Sequence, residues 1–367
     1  MPAQTDPVLR LHTLCPYYTM FPLRFPFTAL SQANAGDWVL DPFCGRGTTL
    51  FASRLRGLPS VGIDSNPVAA AIAAAKLAIA TAEDIIALCR RILEEGDSHQ
   101  DVPEAEFWQR CYSRKTLLAI CILREYFAHR CVTPEEIILR ALVLGILHGP
   151  QTRNTPTYLS NQMPRTYATK PAAALRFWKR HRMFPSTVDV SAAVRRRAHF
   201  SLAEIPKASG GRVYLADSRT ANIGLRHPPF TWVITSPPYF GMRTYRPDQW
   251  IRNWFLGGRV DVDYGQDGQI PHQDESFTAE MAKVWANVAR FCQNGARLVI
   301  RFGSLPSKET DARAIIRESL SLADRGWRIL TVRDAGKASN GNRQAEQFRG
   351  KTNEALREID VYARLET

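Results

Sequence analysis

Trp38-Val39-Leu40-Asp41-Pro42-Phe43-Cys44-Gly45-Arg46-Gly47-Thr48-Thr49, running on into the apolar-periodic stretch Leu50 to Leu55, decides the fold. The apolar triplet reads as a buried strand, the Gly-containing segment as a tight turn, and the following run as a helix. Gly45 and Gly47 let the backbone approach a ligand closely, and the N-terminus of the next helix favours an anionic group. Nucleotide binders of several kinds share such a loop, but this one lacks the Lys of a P-loop. About twenty residues on, Ser60-Val61-Gly62-Ile63 reads as a second buried strand ending in Asp64, and Ser65-Asn66-Pro67 opens another helix. An acidic residue at that place holds ribose hydroxyls in dinucleotide folds.

A second informative segment is Ser236-Pro237-Pro238-Tyr239, entered from Trp232-Val233-Ile234 and Thr235. Two consecutive prolines cannot continue a sheet ladder, so the chain leaves a strand there with backbone carbonyls exposed. Taken alone, this is either an ordinary Pro-Pro turn or a cradle for a planar amino group. In the second case the Ser236 hydroxyl and the Pro237 carbonyl accept the two amino protons, and the Tyr239 ring offers a face for a base.

The residues of this second segment resemble the catalytic motif of S-adenosylmethionine-dependent amino-methyltransferases: Asp, Asn or Ser, then Pro-Pro, then Tyr or Phe. The Ser form looks most like the DNA cytosine-N4 branch. Asp41-Pro42-Phe43-Cys44-Gly45-x-Gly47-Thr48-Thr49 resembles the cofactor motif of the same enzymes, and Gly62-Ile63-Asp64 their ribose-binding motif. The resemblance implies an α/β, class-I (Rossmann-like) fold, its sheet mostly parallel with one antiparallel strand near the end. It implies S-adenosylmethionine as cofactor, held by Asp41, Phe43, Cys44, Gly45, Gly47, Thr48, Thr49, Asp64, Ser65 and Thr235. The aromatic, proline-rich arm Cys15 to Pro26 resembles the segment that closes over the methionine end of the cofactor, which adds Tyr18 and Phe21. Val213-Tyr214-Leu215-Ala216 reads as a strand whose following Asp217 and Ser218 the resemblance puts near the adenine. Ser236, Pro237, Pro238 and Tyr239 become the catalytic residues, with no metal.

Composition sets bounds. At 367 residues with 45% hydrophobic side chains, the chain has material for one large domain with an insertion or for two domains. Its formal net charge of +13, from 48 basic and 35 acidic side chains, points to a polyanionic partner. Seven scattered cysteines without a C-x-x-C pair argue against zinc and disulfide frameworks. None follows a proline, which disfavours a covalent Pro-Cys mechanism of the cytosine-C5 type; the resemblance accounts for Cys44 as a loop residue beside the ligand. Met1 to Pro7 lacks an apolar signal region and no run is suited to spanning a bilayer, so the expected setting is cytoplasmic, away from membranes.

Along the chain, Phe27 to Ala33 reads as a short helix and Pro67 to Leu93 as one or two core helices. From Glu104 to Pro206 the pattern stays helical, which interrupts the α/β alternation with an insertion of about a hundred residues. The expected division is 1–100 with 207–367 as catalytic domain and 101–206 as a basic helical insertion for target recognition. Between Gln151 and Arg212 stand twelve basic residues against Asp189 and Glu204, interleaved with aromatics and amides. Arg153, Arg165, Lys170, Arg176, Lys179 and Arg180 are the candidate nucleic-acid contacts there. In Phe240-Gly241-Met242-Arg243-Thr244-Tyr245, Arg243 is a further candidate for a phosphate or a flipped nucleotide. Trp250 and Trp254 read as core. Phe277 to Cys292 is expected as a helix, Arg297 to Phe302 as a strand, Asp311 to Ala323 as a helix, and Trp327 to Val332 with Ile359 to Arg364 as a terminal strand pair. Gly336 to Thr352 is expected as a loop.

The resulting expectation is methyl transfer to the exocyclic N4 of cytosine in double-stranded DNA, the target base turned out of the duplex. A partner restriction or defence protein fits the same family setting. The insertion precedes Asp217, whereas one known branch carries its recognition region after the corresponding motif. Adenine-N6 methylation, RNA amino-methylation and a catalytically dead nucleic-acid-binding subunit therefore stay open.

Overall fold

The computed structural model describes residues 5–17, 21–96, 102–151, 156–164, 166, 169–224, 227–240, 247–262, 270, 276–303, 311–337 and 357–366. Seven strands form one sheet: β1 (Val39–Asp41), β2 (Ser60–Asp64), β3 (Gly211–Leu215), β4 (Phe230–Thr235), β5 (Cys292–Gly303), β6 (Trp327–Lys337) and β7 (Arg357–Leu365). Their order is β3-β2-β1-β4-β5-β7-β6. The first five pair in parallel, and β7 runs antiparallel between β5 and β6. This is the class-I methyltransferase sheet.

β1 lies between β2 and β4, with Leu40 opposite Val61 on one side and Val233 on the other. The strand order reverses there, so β1, β2 and β4 end along a common carboxyl edge at the switch point where open α/β sheets bind ligands. Alternation of side chains splits the core between the sheet's two faces. Val39, Trp232 and Ile234 lie in one buried cluster, which continues through α3 (Pro67–Ala74), α4 (Ala82–Glu95), α7 (Pro134–Ile146) and α9 (Val190–Ser201). Leu40, Val233, Leu298 and Ile300 lie in the other, with α11 (Ser276–Ala289) and α12 (Ala312–Leu322). The helices of 101–206 thus bury their apolar sides in the cluster that covers one face of the sheet. They include α5 (Glu106–Cys111), α6 (Arg114–His129) and α8 (Pro171–Arg180).

The element boundaries depart from the sequence expectation in several places. The first helix, α1, spans Arg24–Ala29 and passes into a 3-10 turn at Leu30–Gln32, with Pro26 accommodated in its first turn, where no intrahelical donor is lost. α11 stops at Ala289, and β5 already begins at Cys292 because Gly295, at φ 83°, carries the chain through an irregularity in the β4–β5 register. β6 continues past Val332 to Lys337 over a second irregularity at Asp334/Gly336, where Gly336 has φ 81°. The expected loop therefore starts after Lys337, and 338–352 lies outside the described residues. Trp250 and Trp254, on α10 (Trp250–Phe255), are buried as expected.

Candidate active site

The turn after β1 is built by backbone hydrogen bonds that only a glycine-containing sequence allows. Gly47, at φ 80°, caps α2 (Thr48–Leu55), and its amide donates to the Cys44 carbonyl at 2.7 Å. A Cβ on Gly47 would lie 2.9 Å from the Ala73 Cα of α3, so the close approach of loop and helix also requires glycine. The Cys44 amide donates to Ile63 O at 3.0 Å, and the buried Cys44 side chain rests against Gly62, where a Cβ would be 2.9 Å from its Sγ. Burial pushes the Cys44 thiol well above its ordinary pKa, which disfavours a nucleophilic thiolate.

Two carboxylates brace this loop. Asp64 Oδ2 accepts from the Gly45 amide at 2.8 Å and Oδ1 from the Asn66 amide at 2.8 Å. Asp41 Oδ1 accepts from the Phe43 amide at 3.1 Å and from the Thr235 hydroxyl at 2.6 Å. The Thr49 hydroxyl donates to Ile234 O at 3.2 Å. These last two bonds fasten the segment around the loop after β1 to β4 immediately before Ser236. Burial raises both acids to about 6, against the lowering effect of the hydrogen bonds they accept.

Asp41 Oδ2 is buried with no hydrogen-bond partner among the described residues. An orphaned carboxylate oxygen beside a glycine cradle suits the α-ammonium of S-adenosylmethionine, and Asp64 at the end of β2 suits its ribose hydroxyls. The folded state holds the Asp41 proton more tightly than the unfolded chain does. Its contribution to stability is therefore full below ~3.9 and is lost as pH rises through about 6, a change of ~3 kcal/mol. Asp41→Asn keeps the Oδ1 acceptor and removes the charge. Denaturant titration is expected to find the cofactor-free variant more stable than wild type at pH 7 and equal to it near pH 4, with weaker S-adenosylmethionine binding. A variant less stable at both pH values contradicts the assignment.

Beyond the end of β3, the Ser218 hydroxyl donates to Pro42 O, which joins that edge of the sheet to the loop after β1. Burial alone would raise Asp217, but its side-chain hydrogen bonds with Arg219 hold it below the ordinary carboxylate range. Arg219 also pairs with Glu280 of α11. Asp217 is thus at the expected edge with its carboxylate already engaged. Phe43 packs edge-on to Trp285, Thr48 is buried, Ser65 is exposed, and Phe21 packs on the core beside Phe25. Tyr18 lies outside the described residues. The neighbouring Tyr17 does reach the site: its phenol accepts from Asn66 Nδ2 at 3.2 Å. Burial first, and the charge of Asp64 second, raise its pKa.

At the end of β4, Ser236, Pro238 and Tyr239 are half-buried and Pro237 is buried. The Tyr239 ring meets Phe302 edge-on at 5.8 Å, and its phenol donates to Glu358 Oε1 of β7 at 2.8 Å. The Ser236 side chain hydrogen-bonds with the same phenol. Glu358 was absent from the sequence reading because 119 residues separate it from Tyr239.

α8 buries Ala174 and Trp178 and exposes Arg176, Lys179 and Arg180, with Lys170 at its N-terminus. Lys179 pairs with Glu106 at 2.7 Å. Arg153, Arg165 and Arg243 lie outside the described residues. No group of metal-ligating side chains occurs among the described residues, and no described helix is long and apolar enough to cross a membrane.

Residues 19–75, which contain the loop after β1 and Asp64, match the family model described as DNA methylase. Over 68 residues the chain is 38% identical to Type II methyltransferase M.MjaII of Methanocaldococcus jannaschii, a stretch that is 18% of this chain and 13% of that protein. The chain is thus matched to only a small part of its curated relative. Among solved structures it is similar to the rRNA methyltransferase aviRa from Streptomyces viridochromogenes, at 16% identity over 95% of this chain and 87% of the other, with TM-score 0.36. It is also similar to TrmN from Thermus thermophilus, at 10% identity over 98% and 53%, with TM-score 0.37. The segment that builds the cradle is similar to that of a DNA methylase, and S-adenosylmethionine is the cofactor it takes.

Proposed function

We propose that the chain methylates the exocyclic N4 of cytosine in DNA. The observation that supports this reading is the 2.6 Å hydrogen bond from Thr235 to Asp41, which ties the strand end before Ser236-Pro237-Pro238-Tyr239 to the loop after β1. Bound S-adenosylmethionine supplies an electrophilic methyl group. The chain's own residues supply position: the Ser236 hydroxyl and the Pro237 carbonyl accept the two amino protons, which aims the nitrogen lone pair away from them. The Tyr239 ring restrains a base turned out of the duplex. The basic face of α8 and the excess positive charge of 151–212 supply phosphate contacts.

A second reading, adenine-N6 methylation, is favoured by the same acceptor pair, since Ser236 and Pro237 meet an amino group and not the ring that carries it. Incubation with labelled S-adenosylmethionine and either plasmid DNA or cellular RNA, followed by nucleoside mass spectrometry, separates the possibilities. N4-methylcytosine in DNA is the expected product. N6-methyladenine moves the assignment to the second reading, and label confined to RNA overturns both. Cofactor binding with no transfer identifies a catalytically silent subunit.

A further inference from the structure

α8 ends in a turn that ordinarily takes a glycine. The Met183 amide donates to Trp178 O at 2.8 Å and the Arg182 amide to Lys179 O at 3.2 Å, the paired bonds that close a helix when the residue after its C-cap is left-handed. Here that residue is Arg182, at φ 51°. The other described non-glycine residue with positive φ is Asp324, at φ 50°, a residue type whose short polar side chain tolerates the conformation. An arginine bears the full steric cost, so stability does not explain its presence there.

Two residues on, the large apolar ring of Phe184 is 74% exposed. The segment that presents it is anchored on both sides. Met183 packs on the core cluster that contains Trp178, and the buried Val188 is bonded through its amide and its carbonyl to the Thr116 hydroxyl, at 2.9 and 3.0 Å. Pro185 further biases Phe184 towards extended backbone. Phe184 is thus held away from the core by structure on either side of it. The Arg110 guanidinium lies over its ring, 5.5 Å from the centroid. The last turns of α8 and the exit from it also expose Arg176, Lys179, Arg180, His181 and Arg182. Glu106 pairs with Arg110 and Lys179, whereas Arg176, Arg180 and Arg182 have no ion-pair partner among the described residues.

Guanidinium groups without carboxylate partners, set around an exposed aromatic ring, suit a polyanion that also offers flat faces. The opposite end of α8 is tied to α10, which follows the Ser236 to Tyr239 turn in the chain: Trp250 Nε1 donates to Thr169 O at 2.6 Å. Ten helical residues then carry the chain ~15 Å to Arg182, a reach suited to a nucleotide flanking the target rather than to the target itself. We propose that Arg182 and Phe184 form a contact on nucleic acid outside the target base, Arg182 on a backbone phosphate and Phe184 on the face of a neighbouring nucleotide. That the polyanion is a nucleic acid rests on the function proposed above.

The two residues are separable because Arg182→Gly relieves the left-handed backbone as it removes the charge. Anisotropy of a labelled DNA duplex with the intact chain, over a range of salt, is read beside melting temperature and S-adenosylmethionine affinity. Arg182→Gly is expected to raise the melting temperature by ~1 °C yet to weaken DNA binding ~5-fold and lower the salt slope by about one. Arg182→Lys, which keeps charge and conformation, is expected to stay within about twofold of wild type. Phe184→Ser is expected to weaken binding at least ~5-fold with the salt slope and the melting temperature unchanged. Cofactor affinity is expected to be that of wild type in all three. Wild-type DNA affinity in Arg182→Gly or in Phe184→Ser overturns the contact alone, and so does a lowered melting temperature in Arg182→Gly, which makes the arginine structural. Self-association of the wild type in sedimentation that Phe184→Ser abolishes, with DNA affinity intact, makes the ring a protein contact and overturns the assignment. Failure of wild type to bind either DNA or RNA overturns the proposed substrate together with this contact.

Discussion

Tyr239→Ala is expected to lower methyl transfer at least ~100-fold while S-adenosylmethionine affinity stays within about twofold of wild type. The ring is held from three directions, by Phe302 at its edge, by Glu358 at its phenol and by the Ser236 side chain. Truncation removes the proposed stacking surface, for which ~1–3 kcal/mol per base is typical, and leaves the Ser236 hydroxyl without its neighbour. It also leaves Glu358, 6% exposed, without the phenol. The proposed cofactor contacts lie mainly on the loop after β1 and at the end of β2, so binding of S-adenosylmethionine is expected to be spared. Ser236→Ala is expected to be similarly severe, since it deletes one of two amino acceptors. Tyr239→Phe separates the ring from its anchor: kcat is expected to fall ~10-fold with KM little changed, because the face remains and only its orientation loosens. Steady-state kinetics on the product identified by mass spectrometry, together with titration calorimetry of the cofactor, check these outcomes. Activity within threefold of wild type in both Tyr239→Ala and Ser236→Ala sinks the catalytic assignment.

The parts of this site legible in the sequence are those in which chemistry and chain order coincide. Asp41 to Thr49 is strand, turn and helix in unbroken succession, so its glycines and carboxylate announce a binding loop before any coordinates exist. Ser236 to Tyr239 announces itself because two prolines cannot be placed inside a ladder. What joins the two segments is a pair of threonines, Thr49 and Thr235, whose hydroxyls span 185 and 194 residues to Ile234 and Asp41. No local pattern encodes such a bond. It follows from β1 lying beside β4, which periodicity alone does not dictate. Glu358 was hidden for the same reason, since its meeting with Tyr239 depends on β7 entering antiparallel beside β5. Tyr17 was missed for a different one: in an arm without regular periodicity, nothing distinguishes it from the next tyrosine. Gln293-Asn294-Gly295 falls between the expected helix and the expected strand, yet it belongs to β5, where tertiary pairing absorbs the glycine at an irregularity.

Gly47→Ala is expected to destroy the cofactor cradle, and comparison with Gly36→Ala shows why the cost is not merely conformational. Both glycines have positive φ, 80° at Gly47 and 91° at Gly36, so each substitution forces an alanine into a left-handed backbone at ~1–2 kcal/mol. Around Gly36 a Cβ meets nothing within 4 Å, and that conformational term is the whole effect expected there. At Gly47 the Cβ also meets Ala73 Cα at 2.9 Å and Lys76 Cγ at 3.1 Å, and the first of these is helix backbone that cannot rotate aside. Lys76 is itself buried, its Nζ donating to Leu11 O at 2.6 Å, so it has little room to yield. Relief comes only by shifting α3 or lifting the loop, which breaks the Gly45–Asp64 and Gly47–Cys44 bonds. Gly47→Ala is accordingly expected to lose ~3 kcal/mol or more and to weaken S-adenosylmethionine at least ~30-fold, with Gly36→Ala close to wild type in affinity. Denaturant melts and calorimetric titration of the pair decide it: equal losses in the two variants, or undiminished cofactor binding by Gly47→Ala, remove the cradle from the loop after β1.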